Sequence, residues 1–302
     1  MTNVTAVVGQ IIMLFTITAI GCFLRRRSVM TDSVIKGVNT LLLQVAWPCM
    51  ILMTTQKSCA EESVSSFLLV MLVTVAVLAV MCLVIRALSR HAAHAVSEPV
   101  FTVLAVLPNA GFVGMPIIQA VYGDAGTLYL AAFLVGFNLV TWTIGVFLFS
   151  GVSVASLRNL INPGFLSAVI GTLLFLLRVS LPAPLLSTVT QLGSLTTPLS
   201  MLLLGARLEQ VSRPLLRQAR LWAAAGIKLL LMPLAAFALM RACSMDPALT
   251  GITVMAMSMP SASVAQLLAE KYHDDVQLAV AGVSVTMLLC IVTIPLVLLL
   301  TM

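Results

Sequence analysis

Long apolar stretches separated by short polar segments recur along the whole chain of 302 residues. A helix needs about 20 mostly apolar residues to cross the hydrocarbon core of a bilayer, and about ten windows here meet that length. Several windows are only a few residues apart, so we expect neighbouring helices to run antiparallel. The pattern predicts an all-α polytopic membrane protein with about ten transmembrane helices. The windows are 4–24, 34–55, 64–86, 99–122, 126–149, 162–180, 184–206, 220–241, 248–271 and 276–300.

The fourth and ninth windows are each interrupted near their middle by proline beside small polar residues. The fourth reads Val-Leu-Pro-Asn-Ala-Gly over residues 106–111, and the ninth reads Met-Ser-Met-Pro-Ser-Ala-Ser over residues 257–263. Proline lacks an N–H and clashes with the preceding turn, so each helix must open there. Open backbone at mid-membrane is tolerated only where it is buried in protein or lines a wet cavity. Matching breaks in two halves are typical of the substrate site of a secondary transporter.

Prolines also recur at a nearly constant separation between the two halves of the chain. Pro48 and Pro198 are 150 residues apart, and Pro108 and Pro260 are 152 apart. The spacing predicts two repeats, residues 1–152 and 153–302, with about five helices each. Because five is odd, the second repeat enters the membrane from the opposite side, so the repeats are expected to be inverted. Helices 4 and 9 are then the broken pair and are expected to cross.

Composition agrees with a membrane protein. Hydrophobic residues make up 61% of the chain and charged residues 9%, and the mean hydropathy is +1.13, whereas soluble proteins carry about 25% charged residues. The net charge of +6 does not indicate a nucleic-acid partner, because the charges lie in short loops between apolar windows and not on one basic face.

The basic loop residues predict the orientation, since cytoplasmic loops carry an excess of lysine and arginine. With both termini outside, twelve basic residues face the inside and only three, Lys57, Arg178 and Arg241, face the outside. We therefore predict a multi-pass protein of the cytoplasmic (inner) membrane with both termini outside. The inner set is Arg25, Arg26, Arg27, Lys36, Arg86, Arg90, Arg158, Arg207, Arg213, Arg217, Arg220 and Lys271.

Broken helices suit the binding of a small organic anion. Each break creates a half-helix whose N-terminus carries a partial positive charge and N–H groups without helical acceptors. Asn109 is predicted as a direct ligand, with Ser261 and Ser263 as further polar contacts. The predicted substrate-binding set is Asn109, Pro108, Gly111, Pro260, Ser261, Ser263, Gln266 and Lys228.

Two polar residues within other windows have open roles. Lys228 lies inside the eighth window, where an ionisable residue is a functional hypothesis by default. It either attracts the substrate or extends its amine to the inner interface. Asn138 in the fifth window either lines the pore or bonds neighbouring helices.

Several motifs together resemble one family. The chain is similar to the auxin efflux carrier family, which includes plant PIN carriers and bacterial malonate and malate carriers. The resemblance implies ten helices in two inverted five-helix repeats, with the fourth and ninth crossing at their broken middles, as in bile-acid sodium symporters. It also implies a scaffold that includes the second and seventh helices and forms a homodimer. The motifs are residues 39–42, 47–48, 108–116, 122–124, 162–163, 198–205, 259–262 and 268–272.

The chain departs from this family after the second crossover proline, where serines at 261 and 263 replace the amide of many members. No carboxylate lies in the middle of a window, which argues against a midplane carboxylate as proton relay. Sodium held by carbonyl groups and a uniporter driven by the membrane potential stay open.

The leading prediction is a secondary active transporter of a mono- or dicarboxylate. The alternatives are a sodium-coupled symporter of the bile-acid type and a channel or sensor on the same scaffold. Neither a catalytic motif nor a metal or cofactor site is predicted, and the predicted partners are the organic anion, the lipid bilayer and a second copy of the chain.

Overall fold

A computed structural model describes residues 2–58, 64–91, 98–151, 162–208, 211–212 and 214–301 of the chain. Helices account for nearly all of these ranges, and the described residues contain no strand, only one isolated backbone bridge. The all-α class is therefore confirmed. The predicted boundary between the two repeats, at residues 152 and 153, lies outside the described residues.

The helices before this boundary are numbered in chain order. They are α1 (Thr2–Arg26), α2 (Asp32–Leu41), α3 (Trp47–Ser58), α4 (Val64–His91), α5 (Glu98–Val106), α6 (Met115–Val140) and α7 (Val146–Ser150). The later helices are α8 (Pro163–Leu176), α9 (Ala183–Ser194), α10 (Thr196–Leu208), α11 (Ala219–Gly226), α12 (Met232–Ala242), α13 (Pro247–Ser258), α14 (Val264–Lys271) and α15 (Val276–Thr301).

Several helix starts are set by capping residues that the sequence supplies. The Asn162 side chain accepts a hydrogen bond from the amide of Phe165, and Pro163 begins α8. The Asp246 carboxylate accepts from the amides of the first turn of α13, which begins with Pro247. These are the residue types that satisfy the free N–H groups of a helix start, with proline in the first position where no N–H is needed.

Five helical segments of the described chain are long and apolar enough to cross a membrane. The helices α8 and α13 are shorter apolar helices. A multi-pass membrane protein follows from these segments, whereas the count of ten spans and their inversion stay predictions. The five segments are Asp32–Gln56, Phe67–Ser89, Tyr129–Ser150, Ala219–Ala242 and Val276–Val297.

Proline also explains three wider, π-helical turns. These turns span Leu42–Ala46, Ala110–Gly114 and Ile227–Leu231, and each ends two residues before a proline of the next helix. Because proline cannot donate to the carbonyl four residues earlier, the ladder shifts locally to the wider turn. A further interruption lies at Gly123, whose φ of 65° breaks α6 between the fourth and fifth predicted windows.

The broken helices lie at the centre of the protein. Every residue from Leu249 to Ser258 of α13 is buried, and so is every residue from Val264 to Ala269 of α14. By contrast, α4 exposes large apolar side chains such as Leu72 and Leu83. The interior therefore encloses the interrupted backbone, while apolar side chains cover the periphery.

Candidate substrate site

The two predicted breaks meet and pair through their backbones. The helix α5 ends at Val106, and α13 ends at Ser258. Between them, the Asn109 amide donates to the Pro260 carbonyl at 2.7 Å, and the Ala262 amide donates to the Leu107 carbonyl at 2.8 Å. These two bonds form a short antiparallel bridge between residues 108 and 261. Backbone groups that lack a helical partner at one break are thus hydrogen-bonded to backbone groups of the other break.

Side chains at the crossing supply hydrogen-bond partners for backbone groups that the breaks leave without helical partners. Residue 108 is proline and cannot donate to the Leu104 carbonyl four residues earlier. The Ser261 hydroxyl donates to that carbonyl instead, at 2.6 Å. The Ser261 amide donates to the Thr286 hydroxyl of α15 at 3.0 Å. Ser261 therefore stabilises the crossing through both its hydroxyl and its amide.

Asn109 and Ser263 face each other across the crossing. The Asn109 side-chain amide donates to the Ser263 hydroxyl at 3.0 Å, and the two residues are 3% and 1% exposed. Each stands at the start of a new helical segment, at Ala110 and Val264, and neither side chain caps it. The first amides of both segments have no acceptor within their own helix, so two positive helix ends converge beside two neutral polar side chains.

A crevice of about 10 Å³ opens at this point, which is room for about one water molecule. Four of the eight predicted residues line this crevice, namely Pro108, Asn109, Gly111 and Ser263. The other four predicted residues, Pro260, Ser261, Gln266 and Lys228, do not line it. The rest of the wall consists of Trp47, Met50, Leu134, Phe137, Asn138 and Ala262.

Lys228 is fully buried and does not reach the inner interface. Its ammonium donates to the Met257 carbonyl at 2.7 Å, and the side chain is 0% exposed. Met257 lies in the last turn of α13, immediately before the second break. Of the two roles that the sequence left open, extension to the interface is wrong, because the amine points into the protein.

Comparison with known proteins identifies the family to which the chain belongs. The profile of a family described as membrane transport protein matches residues 6–156 and 152–298. The chain belongs to this family. Membership confirms the resemblance to auxin efflux carriers and makes the chain a membrane transport protein.

Two relatives of this membrane transport protein match over nearly their full length, and a third matches over about two thirds. It is 23% identical over 308 aligned positions to the uncharacterized transporter YfdV of Escherichia coli strain K12, with 97% of this chain and 96% of the relative covered. It is 21% identical over 288 positions to the uncharacterized transporter MJ1031 of Methanocaldococcus jannaschii, with 91% and 92% covered. An uncharacterized transporter of Methanothermobacter thermautotrophicus is 28% identical over 201 positions, with 65% of each chain covered.

Two residues of the transporter join the crevice from outside the broken helices. The Trp47 indole N–H donates to the Asn138 carbonyl oxygen at 2.9 Å, and the Asn138 amide donates to the Leu134 carbonyl at 2.7 Å. Asn138 was one of two open cases in the sequence, and it both bonds a neighbouring helix and lines the crevice. Trp47 was not predicted as a site residue, although residues 47–48 are one of the motifs that carry the family resemblance.

Gln266 is buried near the crossing, and its side-chain oxygen is an acceptor without a donor among the described residues. The residue is 3% exposed. It lies on α14, in the first turn after the break. Gln266 is therefore outside the crevice wall, and its role as a ligand stays a prediction.

A second polar cluster joins three helices away from the crevice. Glu270 at the end of α14 forms an ion pair with Arg207 of α10, and it accepts from the Asn39 side-chain amide of α2 at 2.9 Å. The Arg207 and Glu270 side chains are only 13% and 25% exposed. From the sequence alone, Arg207 belongs only to the basic inner set, because nothing local indicates its acidic partner 63 residues away.

Proposed function

We propose that the protein is a secondary active transporter that carries a small organic anion, a mono- or dicarboxylate, across the cytoplasmic membrane by alternating access. The observation that supports this most is the pairing of two mid-helix breaks around Asn109 and Ser263. Paired discontinuous helices from two halves of a chain are how many secondary transporters build their substrate site.

The charge balance of the crevice favours an anion. Two half-helix N-termini converge there, and positive helix ends attract anionic groups without a buried cation. The polar wall is otherwise neutral, with amide and hydroxyl groups from Asn109, Ser263 and Asn138. These side chains can donate to carboxylate oxygens, and the indole and aliphatic groups around them exclude water from the complex.

The small volume of the crevice supports a cycle with more than one conformation. Room for about one water molecule is too little for a carboxylate, so substrate binding requires the walls to move apart. Met50 lies on α3, and Leu134 and Phe137 lie on the part of α6 beyond the interruption at Gly123, so a shift of these segments against the crossing would open the site. Such relative motion of two bundles around a central site is the usual form of alternating access.

The wider arrangement belongs to the same proposal. It comprises ten spans in two inverted repeats, residues 1–152 and 153–302, both termini outside the inner membrane, and a homodimer formed through the scaffold helices. It is supported by the crossing, where backbone hydrogen bonds join residues 107 and 109 of the fourth predicted window to residues 260 and 262 of the ninth. Inversion explains why both half-helix N-termini can meet at one level.

Counterflow in proteoliposomes tests the function. Vesicles containing the purified protein are loaded with unlabelled malonate, malate or pyruvate, and uptake of the labelled compound is followed over time. We expect saturable uptake of at least one carboxylate that is stimulated by the same compound inside. Uptake without such stimulation would indicate a channel, and a strict need for sodium would favour the bile-acid type of symporter.

A further inference from the structure

Lys228 occupies an unusual position for a charged residue in a membrane protein. It lies in the π-helical turn Ile227–Leu231, which precedes Pro233. Turns of this kind are rare in proteins, and those that occur are often at functional sites. Burial of an ionisable residue within a span is costly and marks ion or substrate pathways. Lys228 does not line the substrate crevice, so the free-energy cost of burying it needs another explanation.

The acceptor of the Lys228 ammonium is a carbonyl that the second break sets free. In a continuous helix the Met257 carbonyl would accept from the amide of residue 261. That amide instead donates to the Thr286 hydroxyl, and the Met257 carbonyl accepts from Lys228 at 2.7 Å. The ammonium thus lies at the negative, C-terminal end of the half-helix α13.

This end of a broken helix is where transporters bind coupling cations. Unwound carbonyl groups and half-helix C-termini coordinate the sodium ion or proton that drives transport, while half-helix N-termini face the anionic substrate. Here the N-termini face the crevice, and the C-terminal end of α13 is bound by a lysine of the protein itself. The ammonium therefore stands where a bound cation would stand.

No counter-charge in the described structure fixes the Lys228 amine in its charged form. Elements packed against its turn are α5, α11, α12, α13 and α15. Glu98 and Arg220 lie in the first turns of α5 and α11, Arg241 lies at the end of α12, and α13 has no ionisable side chain. Cys290 is the ionisable side chain of α15. Burial of a charged amine without a carboxylate partner costs free energy, and this cost falls when the amine releases its proton and becomes neutral.

We propose that Lys228 is the coupling-cation site of this transporter: its amine binds and releases one proton per cycle, in the place of a sodium ion. This rests on the proposed carrier function. In one state the ammonium holds the Met257 carbonyl. In the other, an N–H bond breaks, the electron pair stays on Nζ, and the proton passes to water on the side to which the site is open. Transport of the anion is then driven by protons and independent of sodium.

Accumulation by proteoliposomes tests the coupling. Labelled malonate is the probe, the outside is made acidic, the membrane potential is clamped, and sodium or choline is the external cation. We expect the wild-type protein to accumulate malonate about tenfold per pH unit, the limit for one proton per cycle, equally in both salts. In Lys228→Met and Lys228→Arg, which cannot exchange a proton in this range, we expect a ratio of about one.

The comparison uses steady-state ratios because these do not depend on the amount of active protein in each vesicle. Lys36→Met, a change of an exposed lysine on α2, is the matched control and should accumulate like the wild type. Accumulation by Lys228→Met equal to the wild type would overturn the proposal, and so would a requirement for sodium. Counterflow by the wild type without gradient-driven accumulation would overturn it while the carrier function stands.

A measurement without substrate covers the case in which none of these carboxylates is transported or in which the variants are inactive. The chain has four lysines, so replacing Lys36, Lys57 and Lys271 with arginine leaves Lys228 as the sole lysine. Nuclear magnetic resonance of this protein, with ¹³C at Cε and ¹⁵N at Nζ of lysine, reports the ammonium and amine forms directly. We expect both forms over the pH range of the transport assay. A single form throughout would overturn the proposal.

Discussion

Asn109 is the residue on which the proposed substrate site most depends. Its amide group faces the crevice and meets Ser263, and it does not cap the helix that follows. We expect Asn109→Ala to lower the rate of carboxylate counterflow by about 5- to 150-fold, since loss of one buried polar partner costs about 1–3 kcal/mol. The protein should still insert and fold, as judged by size-exclusion chromatography.

Asn162→Ala is the matched control for this substitution. Asn162 caps α8 by accepting from the Phe165 amide at 2.9 Å. Loss of such a cap costs about 1 kcal/mol of stability, so this variant should melt at a lower temperature and keep its transport rate per folded molecule. Normal counterflow by Asn109→Ala would count heavily against the site.

Ser261 and Ser263 are neighbours in sequence with different roles in the structure. The Ser261 hydroxyl serves the Leu104 carbonyl, which Pro108 deprives of its helical donor. We expect Ser261→Ala to destabilise the protein by about 1–3 kcal/mol, the cost of a buried unsatisfied carbonyl. Ser263→Ala should instead reduce transport more than stability. Thermal unfolding and counterflow measured on both variants distinguish these effects, and the opposite pattern would make Ser261 the ligand.

At the scale of the helix, the prolines at the crossing differ from those elsewhere. Pro108 and Pro260 keep α5 and α13 open, and the carbonyl of Pro260 accepts from the Asn109 amide. Pro295 lies inside the otherwise continuous helix α15. We expect Pro108→Ala and Pro260→Ala to impair counterflow more than Pro295→Ala, because alanine restores the helical donor and closes the break. Equal losses in all three would indicate nonspecific helix damage.

The cluster of Asn39, Arg207 and Glu270 joins the ends of α2, α10 and α14. A hydrogen bond to a charged group contributes about 1.5–3 kcal/mol, and Glu270→Gln removes the charge from two such contacts. We expect this variant to unfold at a lower temperature, with a smaller difference from the wild type at high salt.

Asp32→Asn is the control for Glu270. Its carboxylate pairs with Arg25 at 2.8 Å, but its side chain is 78% exposed. Exposed pairs contribute about 0–1 kcal/mol, so the control should unfold close to the wild type. Equal shifts in the two variants would mean that the Glu270 cluster adds no more than a surface pair.

For the molecule as a whole, the distribution of basic residues predicts its orientation. Alkaline phosphatase is active only outside the cytoplasm, so a fusion after Met302 should be active and a fusion after Arg90 should be inactive. The physical reason is the positive-inside bias of loops near the spans. Activity in the reverse pattern would invert the orientation, and with it the side from which the proton is taken up.

Prediction from the sequence succeeded where a residue acts on its own segment. Pro108 and Pro260 had to open their helices, and both are open, because the missing N–H is a property of proline wherever it stands. It succeeded less well for Lys228, since a single window does not reveal which way a helix is rotated. Trp47 was missed and Asn138 left open because their hydrogen bond joins residues 91 positions apart.

Apolar composition and the placement of prolines were enough to determine a helical membrane protein with two interrupted helices. Apolar composition acts through the solvent, and proline acts through local backbone geometry. Neither effect depends on how the helices pack against one another. Only the tertiary structure decided that the breaks satisfy each other, that Ser261 serves a carbonyl while Ser263 faces the crevice, and that Lys228 binds Met257. These are bonds between segments far apart in the chain, such as the 154 positions from Asn109 to Ser263, and they exist only after the helices have packed.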